Sequence, residues 1–287
     1  MRFQLVESLE SRRMLSATAG KVPKAAATPP RYDHVVVVIE ENHSYGEILG
    51  KPAHPTSAAL RDPTIRALAS AGASFTNSHA ITHPSEPNYL ALFSGSTQGV
   101  SSDVIPTDLI TAPSLAGELL AAGRTFASYS QGLPSAGFQG DGSGNYVRRH
   151  APWSQFADVP PADNLPFSAF PRNFKQLPAV SFVAPDLEHD MHDGTIAAGD
   201  TWLRQNLIRY AHWARSHNSL LIVTWDEDDG SATNQVPTIF FGAHVHAGKY
   251  AQPIDHYSVL RTIEDMYGVP PLANAAEATP ILKVFKR

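Results

Sequence analysis

The sequence predicts an α/β domain, with a mostly parallel central sheet and helices on both of its faces. Two observations lead there. Continuous β-branched and apolar runs, HVVVVI at 34–39 and LLIVT at 220–224, lack the polar alternation of a half-exposed strand and so mark strands buried on both sides. Between such runs stand segments with apolar residues at helical spacing, most clearly Trp202, Leu203, Leu207, Ile208, Tyr210 and Trp213. Strands alternating with helices build a sheet covered on two sides.

The elements follow in order. After the strand at 34–39, Asp62 and Pro63 supply an N-cap and a first-turn proline, which open a helix to about residue 71. A short strand follows at 73–76, a helix over 88–93 that ends near Gly95, a helix over 115–122 and a strand over 125–129. Residues 131–178 read as loop-rich. Within them GDGSGN at 140–145 lacks the Lys-Ser/Thr of a phosphate-binding loop and is expected to be a flexible loop. A strand at 179–183 precedes a long helix, capped by Asp200, whose Trp202 and Trp213 stripe is core packing. Strands at 220–224 and 238–241 and a helix over 257–267 complete the pattern. No repeat is present, and no linker divides 33–270, so 31–287 is expected to be one catalytic domain behind a disordered leader at 1–30.

Composition sets limits on function. The 287 residues hold 43% hydrophobic and 17% charged side chains, ordinary for a chain with a real core. A formal charge of −5, with no dense basic run, excludes nucleic acid as a binding partner. The absence of cysteine excludes disulfides, thiolate nucleophiles, Cys-ligated zinc and iron–sulfur clusters. No apolar run approaches the ~18–20 residues of a spanning helix. The leader carries no secretory apolar segment, and its KVPKAAATPP stretch is too poor in apolar surface to fold. Its phrase LVESLESRRMLSA resembles a short N-terminal tag of some bacterial surface and secreted proteins, so a secreted or cell-surface location is expected, and otherwise a cytoplasmic one.

In open α/β sheets, ligands bind beyond the carboxyl ends of the strands. The first buried run is followed by Glu40, Glu41, Asn42 and His43; LLIVT by Trp225, Asp226, Glu227, Asp228 and Asp229; and the strand at 179–183 leads to His189, Asp190, Met191, His192 and Asp193. Crowded carboxylates must bind a cation, take up protons or remain solvated. Oxygen donors from Glu41, Asn42, Asp226 and Glu227 suit Ca²⁺, Mg²⁺ or Mn²⁺, while nearby histidines keep Zn²⁺ or iron in play. Ser85, between two prolines just before a helix, is the candidate nucleophile. No G-x-S-x-G elbow occurs, which argues against an ordinary serine hydrolase.

Five blocks in order, VVVVIEENHSYGEILG (35–50), HPSEPNYLALFSG (83–95), EHDMHDGTIAAGDTWL (188–203), LIVTWDEDDG (221–230) and DHYSVLRTIEDMYGVPPL (255–272), resemble the phosphoesterase family of bacterial phospholipases C and acid phosphatases. That family lies within the alkaline phosphatase superfamily. The Ser85-Glu86-Pro87-Asn88 step also resembles the nucleophile step of the superfamily's nucleotide pyrophosphatases. The resemblance implies an alkaline phosphatase-like fold and a divalent metal ion on Glu41, Asn42, Asp226 and Glu227. It makes Ser85 the nucleophile and a further ligand, with a phosphoserine intermediate, and gives His192 the phosphoryl group or the leaving oxygen. His256 occupies a position the family also fills with His. His83, His189, Asp193 and Asn88 are expected around the substrate or behind the ligands, with His43 and His79 structural. Asn42 and a helix N-terminus after Pro87 would add donors.

Two departures qualify this picture. Asp228-Asp229-Gly230-Ser231 replaces a Gly-rich step and is expected to add charge near the metal, and the chain is shorter than the phospholipase C relatives. The second favours a compact, non-specific phosphomonoesterase, with a small phosphate ester as its substrate. A phosphodiesterase or phospholipase C using the same site is the alternative, and a non-catalytic metal-binding surface protein a third; the intact Ser85, Asp226 and Glu227 argue against the last. The resemblance sets no oligomeric state.

Overall fold

The computed structural model describes residues 28–50 and 62–286, so the leader, apart from 28–30, lies outside the described residues. The strands are β1 (His34–Glu40), β2 (Ala73–Phe75), β3 (Ser78–His79), β4 (Phe126–Ser130), β5 (Gly142–Ser143), β6 (Tyr146–Val147), β7 (Asn164–Pro166), β8 (Val180–Ala184), β9 (Ser219–Trp225), β10 (Thr238–Gly242), β11 (Gly248–Tyr250) and β12 (Ile254–Asp255). The α-helices are α1 (Tyr45–Ile48), α2 (Pro63–Ala71), α3 (Ser85–Ser94), α4 (Leu115–Ala121), α5 (Ile196–Asn206), α6 (Ile208–Ala214) and α7 (His256–Tyr267).

Eight strands form the central sheet in the order β11-β2-β10-β9-β1-β8-β4-β7. The run β9-β1-β8-β4-β7 is parallel throughout. Strand β10 runs antiparallel to both of its neighbours, β9 and β2. The cause is the connection: residues 226–237 contain no helix, and a parallel return needs a crossover. Strand β1 shows why its sequence is apolar without interruption. Val35, Val37 and Ile39 enter one core with α3, α4 and α7, while Val36 and Val38 enter the other with α2, α5 and α6.

Two local expectations are corrected. Asp200 does not cap its own helix, which starts four residues earlier behind Thr195 and breaks at Leu207. Its carboxylate instead accepts the Ile65 N–H at 2.8 Å and so caps α2, whose own N-cap residue, Asp62, turns its carboxylate to Arg66. GDGSGN is not a free loop, because β5 and β6 pair across it as a small hairpin.

Helix α3 is buried along its whole length and starts at Ser85, three residues before the predicted boundary, so Pro87 lies in its first turn. Gly95 ends it in the left-handed region at φ 73°; a Cβ there would meet the Leu272 carbonyl at 2.2 Å. That close approach locks the far end of the helix that carries the candidate nucleophile. Among the described residues, no helix is long and apolar enough to cross a membrane.

Candidate active site

The site lies at the carboxyl ends of β1, β8 and β9. Backbone bonds tie these ends together: Glu41 N–H donates to the Asp190 carbonyl at 2.8 Å, and Asp226 N–H to the Glu40 carbonyl at 3.0 Å. Asn42 then leaves the sheet in the left-handed region at φ 51°, and its N–H donates to Asp226 Oδ1 at 3.1 Å. A second outlier, Met191 at φ 82°, turns the chain between Asp190 and His192. Two strained turns at one rim are what a site that fixes side-chain directions requires.

Five predicted residues converge. Ser85 Oγ lies 3.0 Å from Glu227 Oε1, 3.1 Å from Glu41 Oε2 and 3.5 Å from Asn42 Oδ1. One hydroxyl proton cannot serve three acceptors. Asp226 Oδ2, also buried, has no protein partner. Burial drives the Glu41 and Asp226 carboxyls well above the carboxylate range, and each is raised further by a neighbouring carboxylate, Asp226 for Glu41 and Glu227 for Asp226. Burial raises Glu227 as well, against a lowering bond from His83. An oxygen cluster of one sign, with an orphaned carboxylate oxygen, fits a bound cation.

The other wall is nitrogenous. His150 is buried; its Nδ1 lies 2.9 Å from Asp190 Oδ2, and its ring stacks on Tyr89 at 5.2 Å. Its Nε2 has no hydrogen-bond partner and lies 3.3 Å from Glu41 Oε1, which also accepts the Tyr89 hydroxyl. Burial first, then the charges of Arg149 and His192, holds His150 well below the usual imidazole range, which leaves a free Nε2 lone pair. Glu41, His150 and His192 each bring one ligand atom within 4.8 Å of the others and can hold a metal ion. Glu41 thus belongs to both donor sets, Oε2 facing Ser85 and Oε1 facing the imidazoles.

The remaining predicted residues divide by position. His83 bonds Glu227 through Nδ1; burial lowers it, but that bond, the Ser231 carbonyl and the charges of Glu227 and Asp228 together outweigh burial and leave it raised. His192 is half-buried, with Nδ1 2.7 Å from Asp193 and its N–H on Asp190 Oδ1. His256 sits behind the rim, its Nε2 2.6 Å from the Asp226 carbonyl, where it fixes the backbone of that residue. Asn88 uses its amide on the segment before α3, accepting from Ile81 and Thr82 N–H and donating to Thr82 and Pro84 carbonyls. His189 faces Gln131 and Asp186. Asp228 is buried beside the rim, its carboxylate accepting the Gly230, Ser231 and Gln235 N–H groups and lying 3.5 Å from His83 Nε2.

Arg149, His150, Tyr89 and Asp190 are not singled out by the sequence. Arg-Arg-His at 148–150 lies in the loop-rich region; a short helical turn, Arg148–His150, of which only His150 is buried, delivers it to the rim. The signal it does carry is the adjacency of two guanidinium groups and an imidazole in a segment otherwise poor in charge.

The profile of the Phosphoesterase family matches residues 57–270. A phosphatidylinositol-3-phosphatase of Mycobacterium tuberculosis is 47% identical over 277 residues, covering 95% of this chain and 90% of the relative. An acid phosphatase of Aspergillus fumigatus is 30% identical over 251 residues; the match takes in 79% of this chain but 55% of that protein. In fold, the chain is similar to an alkaline phosphatase superfamily protein from Vibrio parahaemolyticus, with a TM-score of 0.59 at 14% identity, over 89% of this chain and 71% of that one.

Proposed function

The chain belongs to the phosphoesterase family and is a phosphoric ester hydrolase, and from that premise we propose that it is a metal-dependent phosphomonoesterase with Ser85 as nucleophile. The observation that carries the proposal is the Ser85 hydroxyl at the first turn of a buried helix, within 3.5 Å of Glu41, Asn42 and Glu227.

We assign the ion to Glu41, Asn42, Asp226 and Glu227, with Ser85 as a further ligand. The oxygen donors favour Ca²⁺, Mg²⁺ or Mn²⁺; the imidazoles beside them suit Zn²⁺ or iron. When bound, the ion would supply positive charge to the phosphoryl oxygens and to the ionising serine.

The protein's own groups divide the reaction. Ser85 releases its proton to Glu227 Oε1 and forms an Oγ–P bond in line as the bond from phosphorus to the alcohol breaks. His83, hydrogen-bonded to Glu227, shares that proton. His192 holds Nδ1 against Asp193 and gives a proton from Nε2 to the leaving oxygen. A water then attacks the phosphoserine, with the same Nε2 as base, and frees inorganic phosphate and the serine. The first turn of α3 lends the phosphoryl oxygens the positive end of its dipole, whereas its Glu86 N–H is taken by Asp103 Oδ1 at 3.1 Å and Pro87 has none, so the donors expected there are largely absent.

The mycobacterial relative's name makes a phosphoinositide monoester a substrate class worth trying beside small esters. Export to the cell surface is our reading of the segment 5–17. The functional test is hydrolysis of p-nitrophenyl phosphate against bis-p-nitrophenyl phosphate, after chelation and after return of each divalent ion. Metal-restored monoester turnover is expected. Faster diester turnover would instead assign the site to a phosphodiesterase or phospholipase C, and silence on both would overturn the phosphatase reading.

A further inference from the structure

Among the described residues Arg149 makes no ion pair, although its charge acts on the buried Glu86 carboxyl. Its neighbour Arg148 pairs with Asp141 at 2.9 Å, and Arg66 and Arg261 pair with Asp62 and Asp265. Among the described residues, no carboxylate pairs with Arg149 in the same way. Its Nε is buried with no hydrogen-bond partner, and its Nη2 reaches only the His192 ring, 3.4 Å from Nε2. The guanidinium is half-buried beside a rim that holds Glu41, Asp226 and Glu227, yet it touches none of them. Leaving a guanidinium partly desolvated and unpaired is unfavourable, and the balance is restored when an anion arrives.

The surroundings fix where that anion would be met. Arg149 precedes His150, whose ring is clamped between Asp190 and the face of Tyr89, and its guanidinium lies against the His192 ring of the same wall. Glu41 Oε1 stands 3.3 Å from His150 Nε2 and its Oε2 faces Ser85 Oγ at 3.1 Å, so the imidazoles and the carboxylates border one space. A phosphoryl group between them would present its outermost non-bridging oxygen to Arg149. A monoester carries a charged oxygen at that point, whereas a diester carries its second ester substituent.

Building on the phosphatase reading, we propose that Arg149 touches the substrate and sets the preference for monoesters over diesters by gripping the third non-bridging oxygen. The forked donor of arginine matches a phosphate edge, which the point charge of lysine does only in part.

The test compares kcat/KM for p-nitrophenyl phosphate and bis-p-nitrophenyl phosphate in the wild type, Arg149→Ala and Arg149→Lys. Arg149→Ala should lose ~10²-fold on the monoester and less than ~3-fold on the diester. Lysine should restore part of the loss, as should guanidinium ion added to the alanine variant at concentrations that leave its melting temperature unchanged. Equal losses on the two esters, or no loss on the monoester, would overturn the inference. Calorimetric binding of inorganic phosphate to Ser85→Ala protein, with and without Arg149→Ala, provides a readout without turnover. Affinity should fall ~10-fold or more; unchanged affinity would contradict the role. Should the wild type hydrolyse neither ester while phosphate affinity still depends on Arg149, the phosphatase reading fails and the anion contact stands.

Discussion

The two halves of the site are built differently. Glu41, Asn42, Asp226 and Glu227 stand at the ends of adjacent parallel strands, β1 and β9, whose register runs unbroken from His34–Ser219 to Glu40–Trp225. Arg149, His150, Asp190 and His192 stand on a short helical turn and a strained loop, where the Asp190 carboxylate holds the His150 ring and the His192 backbone. The strand-borne half is built from carboxyls and an amide; the loop-borne half is built largely from imidazoles and a guanidinium. A sheet fixes positions through backbone pairing and tolerates like charges in close array. A loop must obtain the same precision from individual hydrogen bonds.

The sharpest way to break this comparison is to remove the group between the halves. Ser85→Ala should lower kcat by ~10³-fold or more even at saturating metal, while the melting temperature stays close to wild type. Activity within a few-fold of wild type would place the nucleophile elsewhere. Next, each half can be loosened separately. Asp226→Asn should raise the metal concentration needed for half-maximal activity by ~10–100-fold, measured by add-back after chelation, with turnover largely recovered at saturation. Asp190→Asn should cost ~10–100-fold at saturating metal, because it releases the His150 ring and the His192 backbone together. If both variants gave the same metal titration curve, the division of labour would be wrong.

Legibility in the sequence follows the same division. A continuous apolar run of this length and composition marks a doubly buried strand, and whatever follows it must reach the rim. Glu41, Asn42, Asp226 and Glu227 are therefore readable from the amino-acid order alone. Arg149 and His150 are not, since residues 131–178 have no periodicity and their placement depends on tertiary contacts with α3 and Asp190. Asp200 shows the same limit from another angle. Its capping chemistry is legible, but the helix it caps is distant in sequence, with Ile65 as its partner. The reversed β10 is hidden in the absence of a helix rather than in the strand itself.

Two smaller predictions concern the scaffold, where neither half of the site should respond. Glu264 on α7 is buried; its Oε1 accepts the Leu272 N–H at 2.8 Å, while Oε2 has no partner. Burial pushes its carboxyl up to about 8. A raised acid stabilises the fold fully below its unfolded value of ~4.3 and loses that contribution as pH rises through the folded value. Relative to wild type, Glu264→Gln should therefore gain ~2–4 kcal/mol between about pH 5 and about pH 8, read from denaturant midpoints at each pH. Parallel pH curves would show that the carboxyl is not confined as described. Asp200→Ala should lower stability by ~1 kcal/mol through loss of the α2 cap, with kcat unchanged.

The central claim is that both halves converge on one hydroxyl, and acid-quenched turnover with p-nitrophenyl phosphate in the presence of the activating metal tests it most directly. Peptide mass spectrometry should find phosphate on Ser85 in the wild type and none there in Ser85→Ala. Phosphate on a histidine, or steady turnover with full activity in Ser85→Ala, would contradict the account.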